Sequence, residues 1–365
     1  MDFTFFERLI LFPFLLSFIA SFLATPPVIK LANYFNLVDN PKRRPHPAHV
    51  HRGTIPRAGG LAILVGLLAA SLVFLPLDKH LRGILLGALV AVGIGLLDDK
   101  YNLSPYFRLL TNFITAAFVV GAGIGIAFIN NPFGGIIHLD QPQFNFYFLG
   151  EQRSIWVLSD LFALFWIVWC MNMVNWSKGV DGQMPGFVVI AATVIGVLSL
   201  KFSADIAQWP VTILAFITAG TYFGFLPWNF YPQKIMPGYG GGGLAGYLLA
   251  ILSILSSAKV GTMILVLGVP LMDGVYTVLR RLASGRLPFW GDRGHLHHRL
   301  LDLGWGRRKI AVFYWLVSAI LGMVALYLSP KQKFFAAVLV AALVGGALVW
   351  LDLLRKSLKR QSIRI

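Results

Sequence analysis

Long apolar stretches without strand-like alternation run through the whole chain, separated by short clusters of Pro, Gly and charged residues. About eleven stand out, near residues 6–24, 60–77, 81–97, 107–129, 155–173, 186–200, 208–226, 244–257, 260–279, 310–328 and 333–352, against the roughly 20 apolar residues a helix needs to cross hydrocarbon. Backbone amides cannot stay unpaired in lipid, so unalternating runs of this length predict helices. A β-barrel would show alternating segments of about ten residues. The run at 244–257 is short, and only Ser256, Ser257 and Lys259 part it from the next. The pattern predicts an all-α polytopic membrane protein, a bundle of about eleven transmembrane helices. One integral membrane domain covers 1–365, with two further helices and a basic tail in 306–365.

Composition agrees with that solvent. Of 365 residues, 57% are hydrophobic and only 13% charged, and the mean hydropathy is +0.72, well above an ordinary soluble domain. By the positive-inside rule, about 23 of the 31 Lys and Arg fall in the odd-numbered loops and the C-terminal tail. These are therefore expected in the cytoplasm, and the N-terminus outside. The net charge of +16 then reads as orientation bias, with contact to anionic headgroups, and not as nucleic-acid binding. Basic runs such as Lys42-Arg43-Arg44 and Arg355-Lys356 need no further function. A single cysteine, Cys170 in an apolar run, excludes a disulfide framework or a cysteine zinc site. Asp2 and Glu7 before the first run, and Thr25-Pro26-Pro27 after it, suit an anchor and not a cleaved signal peptide.

The odd loops carry the chemistry. The first ends in Pro56-Arg57-Ala58-Gly59-Gly60, where Arg57 offers a bidentate anion contact. The third opens with Asp98 and Asp99 at the C-terminal end of an apolar helix, where the helix dipole already disfavours an anion. Two carboxylates there point to metal, base or cation-binding work, or simply mark the water boundary. In the fifth, Asn172 and Asn175 share a helix face and Asp181 follows between glycines, a set of oxygens suited to Mg²⁺ or phosphate. The seventh holds Asn229, Lys234 and the glycine run 240–243, which can expose amides to an anion but lacks P-loop spacing. The ninth reads Asp292-Arg293-Gly294-His295-Leu296-His297-His298-Arg299, with two imidazoles sharing a helix face with Arg299. No Cys or HExxH pattern supports zinc, so a phosphate or diphosphate is favoured. Joined on one side of an apolar bundle, these groups call for a substrate anionic at one end and lipid at the other.

The ordered set of PRAGG at 56–60, GLLDDKYNLSP at 95–105, NMVNWSKGVDG at 172–182, NFYPQKI at 229–235 and DRGHLHHRL at 292–300 resembles the polyprenyl-phosphate N-acetylhexosamine-1-phosphate transferases. The likeness spans about residues 25 to 305, and the histidine motif resembles the undecaprenyl-phosphate GlcNAc-1-phosphate branch. It implies transfer of a sugar 1-phosphate from a UDP-amino sugar to a polyprenyl phosphate, with release of UMP, at the cytoplasmic face of the cell membrane, initiating a cell-envelope glycan. It implies Mg²⁺, with Mn²⁺ as the alternative ion, and a homodimer. Carried over, Asp98 is the base with Asp99 beside it, and Asn175 and Asp181 belong to the metal. Arg57, Lys178, Asn229, Lys234, Arg293, His295, His297 and His298 hold substrate.

Two positions depart from the family pattern. Lys178 stands where the family commonly has an acid, and Gly238-Tyr239-Gly240-Gly241 replaces a Gly-Asp-Ser-Gly-like element. Losing two carboxylates and gaining an ammonium weakens a site of hard oxygen ligands, so the metal site is expected to be altered, with Lys178 offering a point cation to the diphosphate. Two other readings stand beside an active transferase: a family-shaped protein that binds lipid phosphate or nucleotide sugar without catalysis, and a transporter. A transporter would show broken helices at mid-membrane and inverted repeats, whereas here polar chemistry gathers at one edge. Asp273, about half-way along the ninth run, is either a family acid or a packing contact. Residues 130–153 read as an external loop that partly alternates, as a short hairpin does.

Overall fold

A computed structural model describes residues 3–42, 50–51, 53–148, 151–202, 204–205, 208–256, 259–288 and 292–362. The basic pair Arg43-Arg44 and Ser257 lie outside the described residues. In chain order the helices are α1 (Phe3–Phe6), a π-helical turn (Glu7–Leu11), α2 (Phe12–Tyr34), α3 (Gly59–Phe74), α4 (Lys79–Tyr101), α5 (Pro105–Gly121), α6 (Val157–Trp176), α7 (Gln183–Leu200), α8 (Trp209–Asn229), α9 (Gly238–Leu255), α10 (Lys259–Val266), α11 (Gly268–Ala283), α12 (Leu296–Asp302), α13 (Arg307–Tyr327) and α14 (Pro330–Ser362). Three antiparallel pairs join β1 (Val38–Asp39) to β2 (Ile55–Pro56), β3 (Phe128–Asn130) to β4 (Ile136–His138), and β5 (Gln143–Phe148) to β6 (Glu151–Trp156). The last pair is the hairpin expected from the alternation in 130–153, with Gln143 opposite Trp156 and Phe148 opposite Glu151.

Among the described residues, eight helices are long and apolar enough to cross a membrane, or nine if one bent pair counts as a single span. The expected figure of about eleven is therefore not reached. The runs at 60–77 and 107–129 fold as helices of 16 and 17 residues, short of the roughly 20 a span needs. The run at 260–279 breaks instead of crossing straight: α10 and α11 meet at 85°. Gly268 and Pro270 follow the break at Leu267, and a proline removes a helical hydrogen bond and crowds the preceding turn.

Local signals explain the ends that matter. The Asp78 carboxylate accepts the Leu81 N–H at 2.8 Å and starts α4, which ends at Asn102 in the left-handed region, φ 51°. Ser104 then caps α5 by accepting from Phe107 N–H, with Pro105 at the first helical position, where its missing N–H costs nothing. This tight turn folds α5 back along α4 just after the two aspartates. Helix α9 is the buried axis, with Leu244 to Leu252 entirely enclosed. α4 and α6 pack against it, while α14 buries few of its residues and leaves its apolar outer face exposed, as a lipid-facing helix does.

Candidate active site

The start of α9 organises the site. The first and seventh loops zip together through Met236 N–H to Pro56 O at 2.8 Å, Gly59 N–H to Met236 O at 3.0 Å and Gly60 N–H to Pro237 O at 2.9 Å. The glycine run lies inside the helix. Cβ atoms added at Gly60 and Gly95 would fall 2.5 Å from Gly241 N and 2.2 Å from Gly240 Cα, so these glycines let α3 and α4 approach α9 backbone to backbone. The expected cradle of free amides is replaced by this packing, and a protein carboxylate takes the leading amide. Tyr239 N–H donates to Asp99 at 3.0 Å and 3.2 Å, to its two oxygens, as an acid at a helix N-terminus should. Gly238, at φ +69°, turns the chain into the helix where a side chain would strike Arg57 O and the Asp99 carboxylate.

Both aspartates face arginines. Arg57 Nη2 lies 3.1 Å from Asp99 Oδ1; Arg108 Nε lies 3.2 Å from Asp98 Oδ1, which also accepts from Leu103 N–H at 3.0 Å. Asp98 and Asp99 are each 1% exposed, deep enough that an uncompensated charge would be costly. Asp39 on β1 approaches Arg57 at 3.8 Å and contacts His51 at 3.1 Å, extending the charged string into the first loop. Burial works against the Arg57 cation, but the carboxylates of Asp99, Asp39 and Asp98 outweigh it and hold its pKa above the ordinary value.

Lys178 enters the same cluster. Its Nζ donates to Gly238 O at 2.5 Å and stands 5.9 Å from the Tyr239 ring centre, with Arg108 5.6 Å from the same ring. The Tyr239 hydroxyl donates to Asn112 Oδ1 at 3.2 Å. Burial lowers the Lys178 pKa to about 8, with Asp99 pulling the other way. The two positions that depart from the family pattern thus touch each other beside the aspartates. Arg108 and Asn112, which the sequence reading did not select, complete the cluster.

The end of α6 and the fifth loop supply two buried oxygens. Asn175 Oδ1, against Gly242, and Asp181 Oδ1 are buried without a hydrogen-bond partner, while Asp181 Oδ2 accepts from Gln233 N–H at 3.3 Å and Arg307 at 3.4 Å. Among the described residues no three His, Cys, Asp or Glu could hold a metal together. The two unpartnered buried oxygens are hard donors, the kind that Mg²⁺ takes together with substrate phosphates and water. Asn229 is occupied in holding loops: it accepts from Gly182 N–H at 3.0 Å and donates to Gln233 Oε1 and Ile235 O. Lys234 is exposed, its ammonium 5.1 Å from the Trp228 ring centre.

The histidines are held from behind. Asp273 accepts the Leu296 N–H at 2.8 Å and contacts His295 Nδ1 at 2.9 Å, so His295 precedes α12 and does not lie on it. His297 stacks parallel to His295 and packs on Gly179, joining the ninth loop to the fifth. His297 and His298 are buried with Nδ1 unpartnered. Burial and the neighbouring histidines lower both pKa values, that of His298 to about 4 and that of His297 well below its usual range. At neutral pH these two rings are uncharged hydrogen-bonding groups. Arg299 turns away to Asp352 at 2.8 Å and Leu348 O on α14 instead of sharing the histidine face. Arg293 is paired with Asp302 at 2.9 Å, and Asp292 with Arg280 and Arg281.

Residues 81–257, which carry Asp98, Asp99, Asn175, Lys178, Asp181 and the start of α9, match glycosyl transferase family 4. The match covers just under half of the chain. Similarity to individual relatives runs nearly end to end. The probable undecaprenyl-phosphate N-acetylglucosaminyl 1-phosphate transferase of Bacillus subtilis is 28% identical over 91% of this chain and 88% of its own. The decaprenyl-phosphate N-acetylglucosaminephosphotransferase of Mycobacterium leprae is 29% identical over 93% and 89%. The phospho-N-acetylmuramoyl-pentapeptide-transferase of Staphylococcus aureus is 24% identical over 86% and 97%. The matched segment stops at 257, so the histidine helix and its Asp273 support lie beyond it.

Proposed function

We propose that the protein transfers a sugar 1-phosphate, GlcNAc-1-phosphate or that of a related amino sugar, from a UDP-sugar to a polyprenyl phosphate. The site faces the cytoplasm, with the C-terminus on that side and the N-terminus outside, and the product starts a cell-envelope glycan. The observation that carries this reading is the meeting of Arg57, Asp98, Asp99, Arg108 and Lys178 at the start of α9, with the unpartnered Asn175 Oδ1 against Gly242 of the same helix. Cations and hard oxygens converge there under a bundle whose outer faces are apolar. The names of the relatives, all phosphotransferases or transferases of this type, agree with it.

In the step proposed, an oxygen of the lipid phosphate forms a bond to the phosphorus that carries the sugar. The phosphoanhydride bond to the uridine-bearing phosphorus breaks, and UMP leaves with the bonding electrons. Such transfer needs alignment and charge neutralisation more than covalent help. Arg57, Arg108 and Lys178 supply fixed positive charge. Asp98, with Asp99 beside it, takes and orients the acceptor's proton, while the neutral imidazoles of His297 and His298, with His295, hydrogen-bond the donor. Asn175 and Asp181 would hold Mg²⁺, or Mn²⁺, which supplies further charge neutralisation at the diphosphate.

The test is UMP release by the purified full chain with polyprenyl phosphate and UDP-GlcNAc, other UDP-sugars in parallel, and Mg²⁺ titrated against chelator. The expected result is UMP formed only with lipid present and lost in Asp98→Asn. Binding of nucleotide sugar or lipid phosphate without release from any donor would replace the transferase with a binding protein.

A further inference from the structure

Arg307 opens α13, outside the stretch that carries the motifs, and the helix itself gives no reason for a cation there. The N-terminal end of a helix carries partial positive charge, which disfavours a basic side chain by about 0.3–1 kcal/mol. The guanidinium instead joins three loops of the site. Its Nη1 lies 3.4 Å from Asp181 Oδ2, its Nη2 donates to Val50 O in the first loop, and its plane sits 5.5 Å from the Tyr231 ring centre in the seventh. About two turns further along the helix, Trp315 Nε1 donates to Gly182 O and Gln183 O, both at 3.2 Å, so α13 grips the turn carrying Asp181 at two points.

We propose that Arg307 is a positioning residue for Asp181. With Oδ2 held by Arg307 and Gln233 N–H, the carboxylate is fixed in rotation and Oδ1 stays buried, without a partner, presented to the site. A planar guanidinium can serve Asp181 and Val50 O together, whereas a lysine offers a single point of charge. This inference rests on the transferase reading, in which Asp181 meets a divalent cation and the donor's phosphates.

The test compares wild type, Arg307→Ala, Arg307→Gln, Arg307→Lys and Arg308→Ala, all as full chains. It measures Mn²⁺ binding by electron paramagnetic resonance with UDP present, UMP release, and Tm. Arg307→Ala and Arg307→Gln are expected to weaken Mn²⁺ binding and lower kcat/KM about 10–100-fold, as loss of groups that orient metal ligands does. Arg307→Lys recovers part of both, and Arg308→Ala matches wild type. Arg307→Gln binding Mn²⁺ as tightly as wild type overturns the proposal, whether or not turnover falls, because the arginine then only braces the fold. If Arg307→Ala does not fold, the Gln and Lys variants carry the comparison. Absence of UMP release in wild type is the separate outcome that removes the transferase reading, and this inference with it.

Discussion

Gly95→Ala tests whether backbone contact between α4 and α9 sets the site. The added Cβ would lie 2.2 Å from Gly240 Cα and 2.3 Å from Gly240 N. Both are backbone atoms, so no side-chain rotation relieves the clash. Ordinary contact begins near 3.4 Å, so the helices must part by about 1.2 Å, the difference between the two distances. Asp99 lies one turn along α4 from Gly95 on the same face, and its bond from Tyr239 N–H, 3.0 Å now, opens to about 4.2 Å, past the ~3.5 Å at which such a bond is lost. A misplacement of about 1 Å in a reacting site costs on the order of 10²-fold in rate, and overpacking costs about 1–3 kcal/mol of stability. Gly93→Ala is the control, since nothing lies within 4 Å of its added Cβ. UMP release and Tm should fall in the first variant and hold in the second. If Gly95→Ala keeps kcat/KM within about twofold of wild type and an unchanged Tm, then α4 and α9 are not in obligatory contact, and the argument from packing to site geometry fails.

Asp273→Asn keeps the shape behind His295 but can donate an N–H hydrogen bond to Nδ1, favouring the opposite ring tautomer; kcat/KM for the UDP-sugar is expected to fall at least about tenfold with little change in Tm. Lys178 carries its charge below a pKa of about 8 and loses it as pH rises through that value. The kcat/KM profile should therefore fall above pH 8, and Lys178→Arg should carry the plateau higher; a profile identical in both proteins refutes a role for that charge. His298 has a folded pKa of about 4, below the 6.5 of a free imidazole, so the unfolded chain binds more protons between those values and stability rises with pH across that window. Tm should climb from pH 4 to 6.5 in wild type and climb less in His298→Gln.

How far the sequence carries can be seen residue by residue. The odd-loop motifs are legible because membrane spans leave only loops and helix ends for charge. Arg57, Asp98, Asp99, Lys178 and the histidines were therefore conspicuous, and they do meet through Arg57 with Asp99, Lys178 with Gly238, and His297 with Gly179. Arg108 was hidden at the edge of an apolar run. Its signal lay in the turn before it, since the Ser104-Pro105 helix start folds α5 back and returns the fourth residue of that helix to the aspartates. The glycine run was legible as necessary but not for what purpose, because an anion cradle and a backbone contact both require the absence of Cβ. Charge state was the least legible property. Three histidines in four positions suggest cations to a reader of sequence, yet His297 and His298 are 1% and 2% exposed, and desolvation of that degree favours neutral rings. The electrostatics of the site therefore divide in a way no motif records. The arginines carry fixed charge and Lys178 a titratable one beside the aspartates, and the rings of His297 and His298 bring directional hydrogen bonds without charge. Removing charge from the first group, for example with Lys178→Met, should lower affinity for phosphate-bearing ligands without altering the placement of His295 and Leu296, which Asp273 holds.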